Sequence, residues 1–512
     1  MKNRKKRARR HIPFRYTLAI VISILEILAI IGIVALLCYW VPYFYILAVI
    51  AQAACVIKII SSDDNPDYKV PWLLFVLILP IAGFMLYMMM YSRTLKKTFI
   101  KRLKDLDDRM YHRDDREDFK SLESKDPVAY AQAKMLCNIS YVSLFKEDNL
   151  KYFPQGEDMC KSMIEDLRSA KRFIFMEYFI IDTGKLWSEI LEVLRKKAGE
   201  GVEIRLIYDD IGCMTTLSGA YYKRLKKYGI DAVPFSMLRG GVDSRFNNRS
   251  HRKITVIDGK VGYTGGINIA DEYINEIERF GHWKDVGIRI EGESVWELTR
   301  LFLIDYGINV KSIPSAKHNY FPQHRVQQGS GYIIPFGDGP RPIYKREVSK
   351  CAIKNMLDSA TKYAYITTPY LIIDNDLCAS IESCALRGVD VKIILPHIPD
   401  KRMVFMMSRS FYPRLIDAGV KIYEYTPGFI HAKTYLTDDK YAMVGTVNLD
   451  YRSLVHHFEN GVWLYDCQVI GDIKQDFDLT LEKSMEIKKE MLKITPLKRL
   501  FRSVVRIFAP LL

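Results

Sequence analysis

One short pattern is written twice in this 512-residue chain: His251, Lys253 and Asp258 recur as His431, Lys433 and Asp438, with the same spacing and 180 residues further on. A repeat of three polar side chains at fixed spacing constrains the fold more than any single element does, because it requires two alike halves that present the same residues. The chain is also longer than one ordinary hydrophobic core accommodates.

The flanks repeat as well. GVEIRLIY from Gly201 has its counterpart in GVDVKIIL from Gly388. Around them, strand-like runs (Arg172 to Ile181, Glu203 to Tyr208) bracket a helix-like Leu186 to Ala198, and Lys362 to Ile373 and Val389 to Leu395 bracket Asp376 to Leu386. This βαβ grammar predicts an α/β fold with a mostly parallel sheet in each half. The expected organisation is a membrane region over 1–92, a charged linker over 93–130, a first α/β domain over 131–325, a second over 326–490, and a basic amphipathic tail over 491–512. The division between the halves is expected near Asn319 to Gly331.

Membrane attachment follows from the first ninety residues. Tyr16 to Leu37, Val41 to Ile60 and Val70 to Tyr91 are apolar runs of the length that crosses a bilayer as a helix. The first exceeds the apolar stretch of a secretory signal and lacks its cleavage site. The net charge of +15 is concentrated in residues 1–15, Arg93 to Lys104 and Lys493 to Arg506, which leaves the remainder slightly acidic. That distribution argues against a nucleic-acid-binding surface and for anionic lipid headgroups as partners. Both basic segments beside the apolar runs want the cytoplasm, which calls for an even number of crossings, whereas three runs give an odd one. One run is therefore expected to lie along the interface or re-enter, and the acidic loop of Asp63, Asp64 and Asp67 is expected on the outer side. The nine cysteines show no paired spacing, so neither a disulfide framework nor a zinc site is expected.

In each motif the His and Lys fall in a strand-like run that ends in a hairpin turn, where positions i and i+2 share a face. The Asp sits at the turn. Asp258 and Asp438 complete the candidate catalytic set of His251, Lys253, His431 and Lys433, but are better placed to pin the hairpins than to do chemistry. Asn268 and Asn448 follow at matching strand ends as amide donors, and Asp285 and Glu459 as carboxylates able to orient an imidazole. Two His, two Lys and two Asn across a pseudo-twofold axis suit a phosphodiester and its transition state. One imidazole attacks phosphorus while the other handles the proton of the alcohol. No carboxylate cluster suggests a metal pair, so no metal or other cofactor is expected.

These motifs are those of the phospholipase D superfamily. The longer strings RFNNRSHRKITVIDGKVGYTGGINIADEY, GHWKD, GFIHAKTYLTDDKYAMVGTVNLDYRS and the terminal FAPLL resemble the bacterial cardiolipin synthases, and PWLLFVLILPIAGFMLY resembles their hydrophobic N-terminal module. The resemblance implies two homologous phospholipase D-like domains in pseudo-twofold arrangement behind an α-helical membrane region. It implies phosphatidyl transfer between two phosphatidylglycerol molecules through a covalent phosphohistidine, giving cardiolipin and glycerol. By the same resemblance His251 is expected as the nucleophile and His431 as the acid and base, although the near symmetry of the halves leaves these roles exchangeable in the sequence; Lys253, Lys433, Asn268 and Asn448 bind phosphate, and Asp285 and Glu459 orient the histidines. A multi-pass cell-membrane protein with cytoplasmic catalytic domains is the expected setting. A hydrolase of the same superfamily, or another alcohol acceptor, is the alternative. A scaffold without catalysis is disfavoured by complete motifs in both halves. Oligomeric state is not legible.

Three details remain open at this level. His456 and His457 stand where a less basic pair is more usual, and a solvated substitution is the simpler reading of them. Asp209 and Asp210, at a parallel strand end, serve either headgroup contact or capping. The tail from Pro496 either lies on lipid or packs on the catalytic body.

Overall fold

The computed structural model describes residues 14–90, 97–108, 110, 114–237, 247–310, 320–321 and 329–511. Residues 1–13 of the basic stretch 1–15, the start of Arg93 to Lys104 and most of the division near 319–331 lie outside the described residues.

Two sheets carry the repeat. The first orders its seven strands as Asn149–Phe153, Gly287–Glu291, Val261–Gly265, Lys253–Ile257, Phe173–Tyr178, Glu203–Asp209 and Ile230–Phe235. The second repeats that order as Tyr332–Asp338, Glu459–Tyr465, Tyr441–Gly445, Thr434–Thr437, Tyr363–Thr367, Asp390–Pro396 and Lys421–Tyr425, then adds Phe145–Lys146 and Ser484–Glu486 at its edges. Neither sheet is mostly parallel, which corrects the expectation. Within these two sheets parallel pairing is confined to the three strands of each βαβ portion, and the motif hairpins and their neighbours pair antiparallel. A hairpin turn reverses the chain, so the strands after each HxK cannot continue the parallel run. The repeated Gly201 and Gly388 have φ of +85° and +87° between a helix end and the next strand, a left-handed conformation that glycine adopts without a Cβ penalty.

The two halves share a core. Phe175, Val256, Trp296 and Phe302 of the first pack in one cluster with Ile333, Leu436, Val444 and Val462 of the second. Phe175 and Phe302 stack with ring centroids 4.7 Å apart. Each fully buried side chain of this size contributes about 1.5–3 kcal/mol, which holds the halves in one register about the pseudo-twofold axis.

The region expected as a linker is structured. Lys97–Asp107 lies along the helix Val295–Asn309, with Arg300 paired to Asp107. Arg116–Lys125 and Pro127–Ser140 bury Phe119, Leu122, Ala133 and Leu136 in the core of the second half. The chain therefore crosses the second half before it builds the first, and the boundary expected at residue 131 cuts through a pair of helices that packs as one. Charged residues on the outer faces conceal these amphipathic helices in the sequence.

Helices Phe14–Trp40 and Pro42–Ile60 are long and apolar enough to cross a bilayer and are joined at Val41. The third apolar run is not a spanning helix. It breaks at Leu79 into Pro66–Ile78 and Pro80–Met90, because Pro80 disfavours helical geometry in the residue before it. Pieces of 13 and 11 residues span roughly 20 Å or less, short of the roughly 30 Å hydrocarbon core. The loop before them is not remote from the catalytic halves either. Asn65 donates to Asp374 (2.6 Å), Asp67 accepts from the Asn375 amide (2.7 Å) and from the Tyr451 hydroxyl (3.2 Å), and Tyr68 packs edge-on against Tyr451. The acidic loop therefore packs on the second half and shares its side of the membrane. The eight described cysteines are free, and seven of them are buried.

Candidate active site

Each histidine sits where its own half meets the other. His251 precedes the strand Lys253–Ile257, and its amide donates to the Phe458 carbonyl (2.8 Å) while the Phe458 amide donates to Arg249 (2.9 Å). His431 follows the short strand Gly428–Ile430, which pairs parallel with His282–Lys284 of the first half, and its amide donates to the Lys284 carbonyl (2.7 Å). The sequence places His and Lys together on one strand. In the structure the backbone leaves the ladder at the His, and each Lys turns back so that its Nζ donates to the carbonyl of its own histidine, at 2.6 Å for Lys253 and His251 and likewise for Lys433 and His431.

This seating crosses the carboxylates. Phe458 and Lys284 immediately precede Glu459 and Asp285. His251 Nδ1 therefore lies 3.0 Å from both carboxylate oxygens of Glu459, and His431 Nδ1 lies 2.6 Å from Asp285 Oδ2. The carboxylate of each half holds the imidazole of the other. Both histidines, both lysines and both carboxylates are buried.

The two pairs are not equivalent. Glu459 also accepts hydrogen bonds from the hydroxyls of Ser453 (2.6 Å) and Thr446. Among the described residues Asp285 accepts one further hydrogen bond, from its own neighbour's amide, Val286 (2.9 Å). Opposite it stands Gly266, at the position matching Thr446, where a Cβ would lie 2.0 Å from Asp285 Oδ1. Electrostatics follow these contacts. Burial raises the Asp285 carboxyl to about 7, against the pull of Lys433. Burial also opposes ionisation of Glu459, yet His251 and the surrounding hydrogen bonds hold it well below the usual carboxylate range. Burial lowers His251 to about 3 despite Glu459, with Lys253 acting in the same direction. It also takes His431 well below its ordinary value, with Lys433 and Lys253 adding to the effect. Lys253 falls to about 7, through burial and then Lys433, and Lys433 to about 8 through burial.

The asparagines are brought to the same place in different states. Asn268 accepts from the Ile180 amide (3.0 Å) and donates to the Tyr273 hydroxyl (2.8 Å), leaving one amide hydrogen for a ligand. Asn448 Oδ1 has no hydrogen-bond partner among the described residues. Ser453 ties this residue to the carboxylate, accepting from the Asn448 amide (2.9 Å) and donating to Glu459. Aromatic rings wall the histidines: Phe179 beside His251 (5.1 Å between centroids), and Tyr273 and Trp283 beside His431 (both 5.5 Å). Ser453 and these rings escaped the sequence reading, although Ser453 closes the GFIHAKTYLTDDKYAMVGTVNLDYRS string.

Asp258 and Asp438 do not join the cluster. Asp258 accepts from the amides of Lys171, Arg172 and Phe173 (2.8, 2.7 and 2.9 Å), and Asp438 from those of Thr361, Lys362 and Tyr363 (2.7, 2.9 and 2.9 Å). Each caps the start of the strand beside its own hairpin from a left-handed turn position, with φ of +55° and +57°. Asp438→Ala is expected to lower unfolding stability by about 1–3 kcal/mol and to leave kcat of the folded fraction near wild type. Thermal unfolding read alongside specific activity checks this.

Asp209 is likewise structural, forming a buried ion pair with Arg249 (2.8 Å) and accepting from the amides of Ile211 and Gly212 (both 2.9 Å). His457 is not the solvated substitution expected. Its side chain is 12% exposed, its ring centroid lies 5.6 Å from that of His251, and its Nδ1 lies 3.7 Å from Glu459 Oε1. His251, His457 and Glu459 have metal-ligand types and spacing, and His251 Nδ1 is already engaged by Glu459.

A model described as a cardiolipin synthase, phospholipase D-like domain matches residues 163–280 and 353–480, and a phospholipase D-nuclease N-terminal model matches residues 50–89. The chain is 33% identical to a cardiolipin synthase of Halalkalibacterium halodurans over 92% of this chain and 94% of that protein. It is 34% identical to cardiolipin synthase 2 of Bacillus anthracis over 90% of this chain and 89% of that protein. It is 41% identical to an uncharacterized protein of Streptococcus mutans over 89% of this chain and 99% of that protein. The crystal structure of a phosphatidylserine synthase from Haemophilus influenzae is similar in fold, with a TM-score of 0.57 and 16% identity over 74% of this chain and 98% of that chain.

Proposed function

The chain belongs to the cardiolipin synthase family of phospholipase D-like proteins, and from that premise we propose that it is a phosphatidyltransferase acting between two phosphatidylglycerol molecules. The observation that carries the mechanism is the inequality of two otherwise symmetric pairs. Glu459 is ionised at neutral pH and fixes the Nδ1–H tautomer of His251, which leaves Nε2 as an unprotonated nucleophile. Asp285, held near 7, keeps a proton within the other pair, which suits His431 to the acid role.

In the first step His251 Nε2 attacks phosphorus, the bond from phosphorus to the glycerol headgroup oxygen breaks, and His431 protonates the departing glycerol. In the second, His431 takes the proton from the glycerol hydroxyl of another phosphatidylglycerol, that oxygen attacks phosphorus, and the P–N bond breaks to give cardiolipin. Lys253, Lys433, Asn268 and Asn448 neutralise and orient the phosphoryl oxygens. Protein supplied with phosphatidylglycerol alone is expected to yield cardiolipin and glycerol by mass spectrometry, with a rate unchanged by EDTA. Phosphatidic acid as the sole lipid product would assign a hydrolase instead, and loss of activity in EDTA would overturn the metal-free mechanism.

We also propose that Phe14–Trp40 and Pro42–Ile60 cross the membrane as a hairpin, with the catalytic halves in the cytoplasm beside the basic segments. Two crossings reconcile those segments with the positive-inside bias, and the broken third run stays on the catalytic side. Protease added to intact spheroplasts is expected to spare the catalytic halves, whereas inverted vesicles should lose them. The opposite pattern would reverse the orientation.

A further inference from the structure

The helix Pro496–Ile507 is turned the wrong way for a soluble protein. Its residues Leu497, Leu500, Phe501 and Val504 share one face at helical spacing. Packed on the catalytic body, that face would be covered. Instead Leu497 is 77% and Leu500 62% exposed, Phe501 and Val504 are exposed beside them, and no residue of the helix is buried. The body is met by the opposite face, where Val505 packs against the core of the second half between Arg502 and Arg506.

Between that face and the helix Arg402–Asp417 lies a cavity of about 550 Å³ that gathers positive charge. Arg414 and Lys489 on its wall are paired with Glu382 and Asp417. Lys493, Arg499, Arg502 and Arg506 are different, since no carboxylate among the described residues stands within ion-pair distance of them, and Glu490 is the one acidic residue of the lining. Arg506 rests on the Phe411 ring, 4.0 Å from its centroid. Burial and then neighbouring arginines push Arg502 below its ordinary pKa, and burial lowers Arg506 as well. The helix is also continuous with the membrane segment. The Phe508 ring lies 5.3 Å from that of Phe75 in Pro66–Ile78, a helix whose Leu77 and Ile78 are exposed too.

We propose that this helix is an interfacial element whose Leu497, Leu500, Phe501 and Val504 face enters the acyl region of the bilayer, while Lys493, Arg499, Arg502 and Arg506 draw the phosphate of an anionic phospholipid into the cavity behind it. One ligand class meets both needs of the helix, acyl chain for the apolar face and phosphate for the basic one. The site lies apart from the histidine pair and binds lipid without transforming it.

The test reads binding rather than turnover, so its outcome is independent of the proposed reaction. Full-length protein carrying Leu500→p-benzoylphenylalanine or Phe501→p-benzoylphenylalanine is reconstituted in mixed phosphatidylglycerol and phosphatidylcholine vesicles and irradiated, with Leu386→p-benzoylphenylalanine, at a position 73% exposed on another helix, as the control. Lipid adducts at 500 and 501 and none at 386 are expected by mass spectrometry. Adducts at 500 and 501 no more frequent than at 386, or adducts joining two copies of the chain, would overturn the proposal. Native mass spectrometry of detergent-purified protein tests the phosphate arm. Arg499→Gln with Arg502→Gln is expected to weaken retained phosphatidylglycerol by about fivefold or more for each cation removed, with retained phosphatidylcholine unchanged. Equal loss of both lipids would remove the phosphate site.

Discussion

His251→Ala is expected to lower kcat by roughly 10⁴–10⁶-fold, and His431→Ala by a similar factor, because each histidine is needed in both half-reactions. Steady-state rates therefore do not tell them apart. A phosphodiester with a p-nitrophenolate leaving group does, since that group departs without a proton. With it, His431→Ala is expected to release about one equivalent of nitrophenolate per site in a burst and then stall, because His251 still attacks but no base activates the acceptor. The stalled protein should carry a phosphatidyl group on His251. His251→Ala should show no burst and no adduct. A burst in His251→Ala with an adduct on His431 would exchange the two roles.

The crossed carboxylates give the second large effect. Glu459→Gln removes the anion that fixes the His251 tautomer, and Asp285→Asn removes the proton-holding partner of His431. A triad carboxylate replaced by its amide costs roughly 10⁴-fold in kcat, and losses of about 10³–10⁴ are expected here. The burst substrate again separates them, and in the sense that reveals the crossing. Glu459→Gln should lose the burst, although it lies in the second half, while Asp285→Asn should keep it and lose turnover. The reverse assignment would mean that each carboxylate serves its own half. Both amides preserve shape, so unchanged thermal unfolding would confirm that the loss is chemical.

The same asymmetry sets a pH dependence. Asp285 is raised to about 7, so its pair with His431 holds a proton below that pH and loses it above. Lys253, lowered to about 7, loses its charge over the same range. Both act in one direction, and kcat is expected to fall as pH rises through about 7 to 8. His251, held at about 3, stays unprotonated on the acid side and adds no limb above that value.

Several features were legible because they are local. The duplicated His, Lys and Asp, the paired GV strings and the apolar runs are spacings along the chain, and spacing maps directly onto strand, turn and helix geometry. Asp258 and Asp438 illustrate this well, since a turn aspartate caps its neighbouring strand wherever the halves lie. The sheet direction was misread because the βαβ portion was extended across a hairpin that reverses the chain. That one of the three apolar runs does not span was expected from the charge balance, but which one was decided by the break that Pro80 imposes. His457 was misread because burial depends on what packs over a residue.

The sequence by itself therefore determined that there are two alike halves, which side chains they duplicate, and that those side chains suit a phosphodiester. Only the tertiary structure decided how they pair. Glu459 lies 208 residues from His251 and Asp285 lies 146 from His431, and the strands that join them cross the pseudo-twofold axis. Whether a carboxylate holds the histidine of its own half or of the other is set by which backbone segments meet at that axis, and no periodicity within either half encodes that contact. The inequality of the pairs is also tertiary in origin, because it comes from Thr446 and Ser453 reaching Glu459 while Gly266 offers Asp285 no hydroxyl.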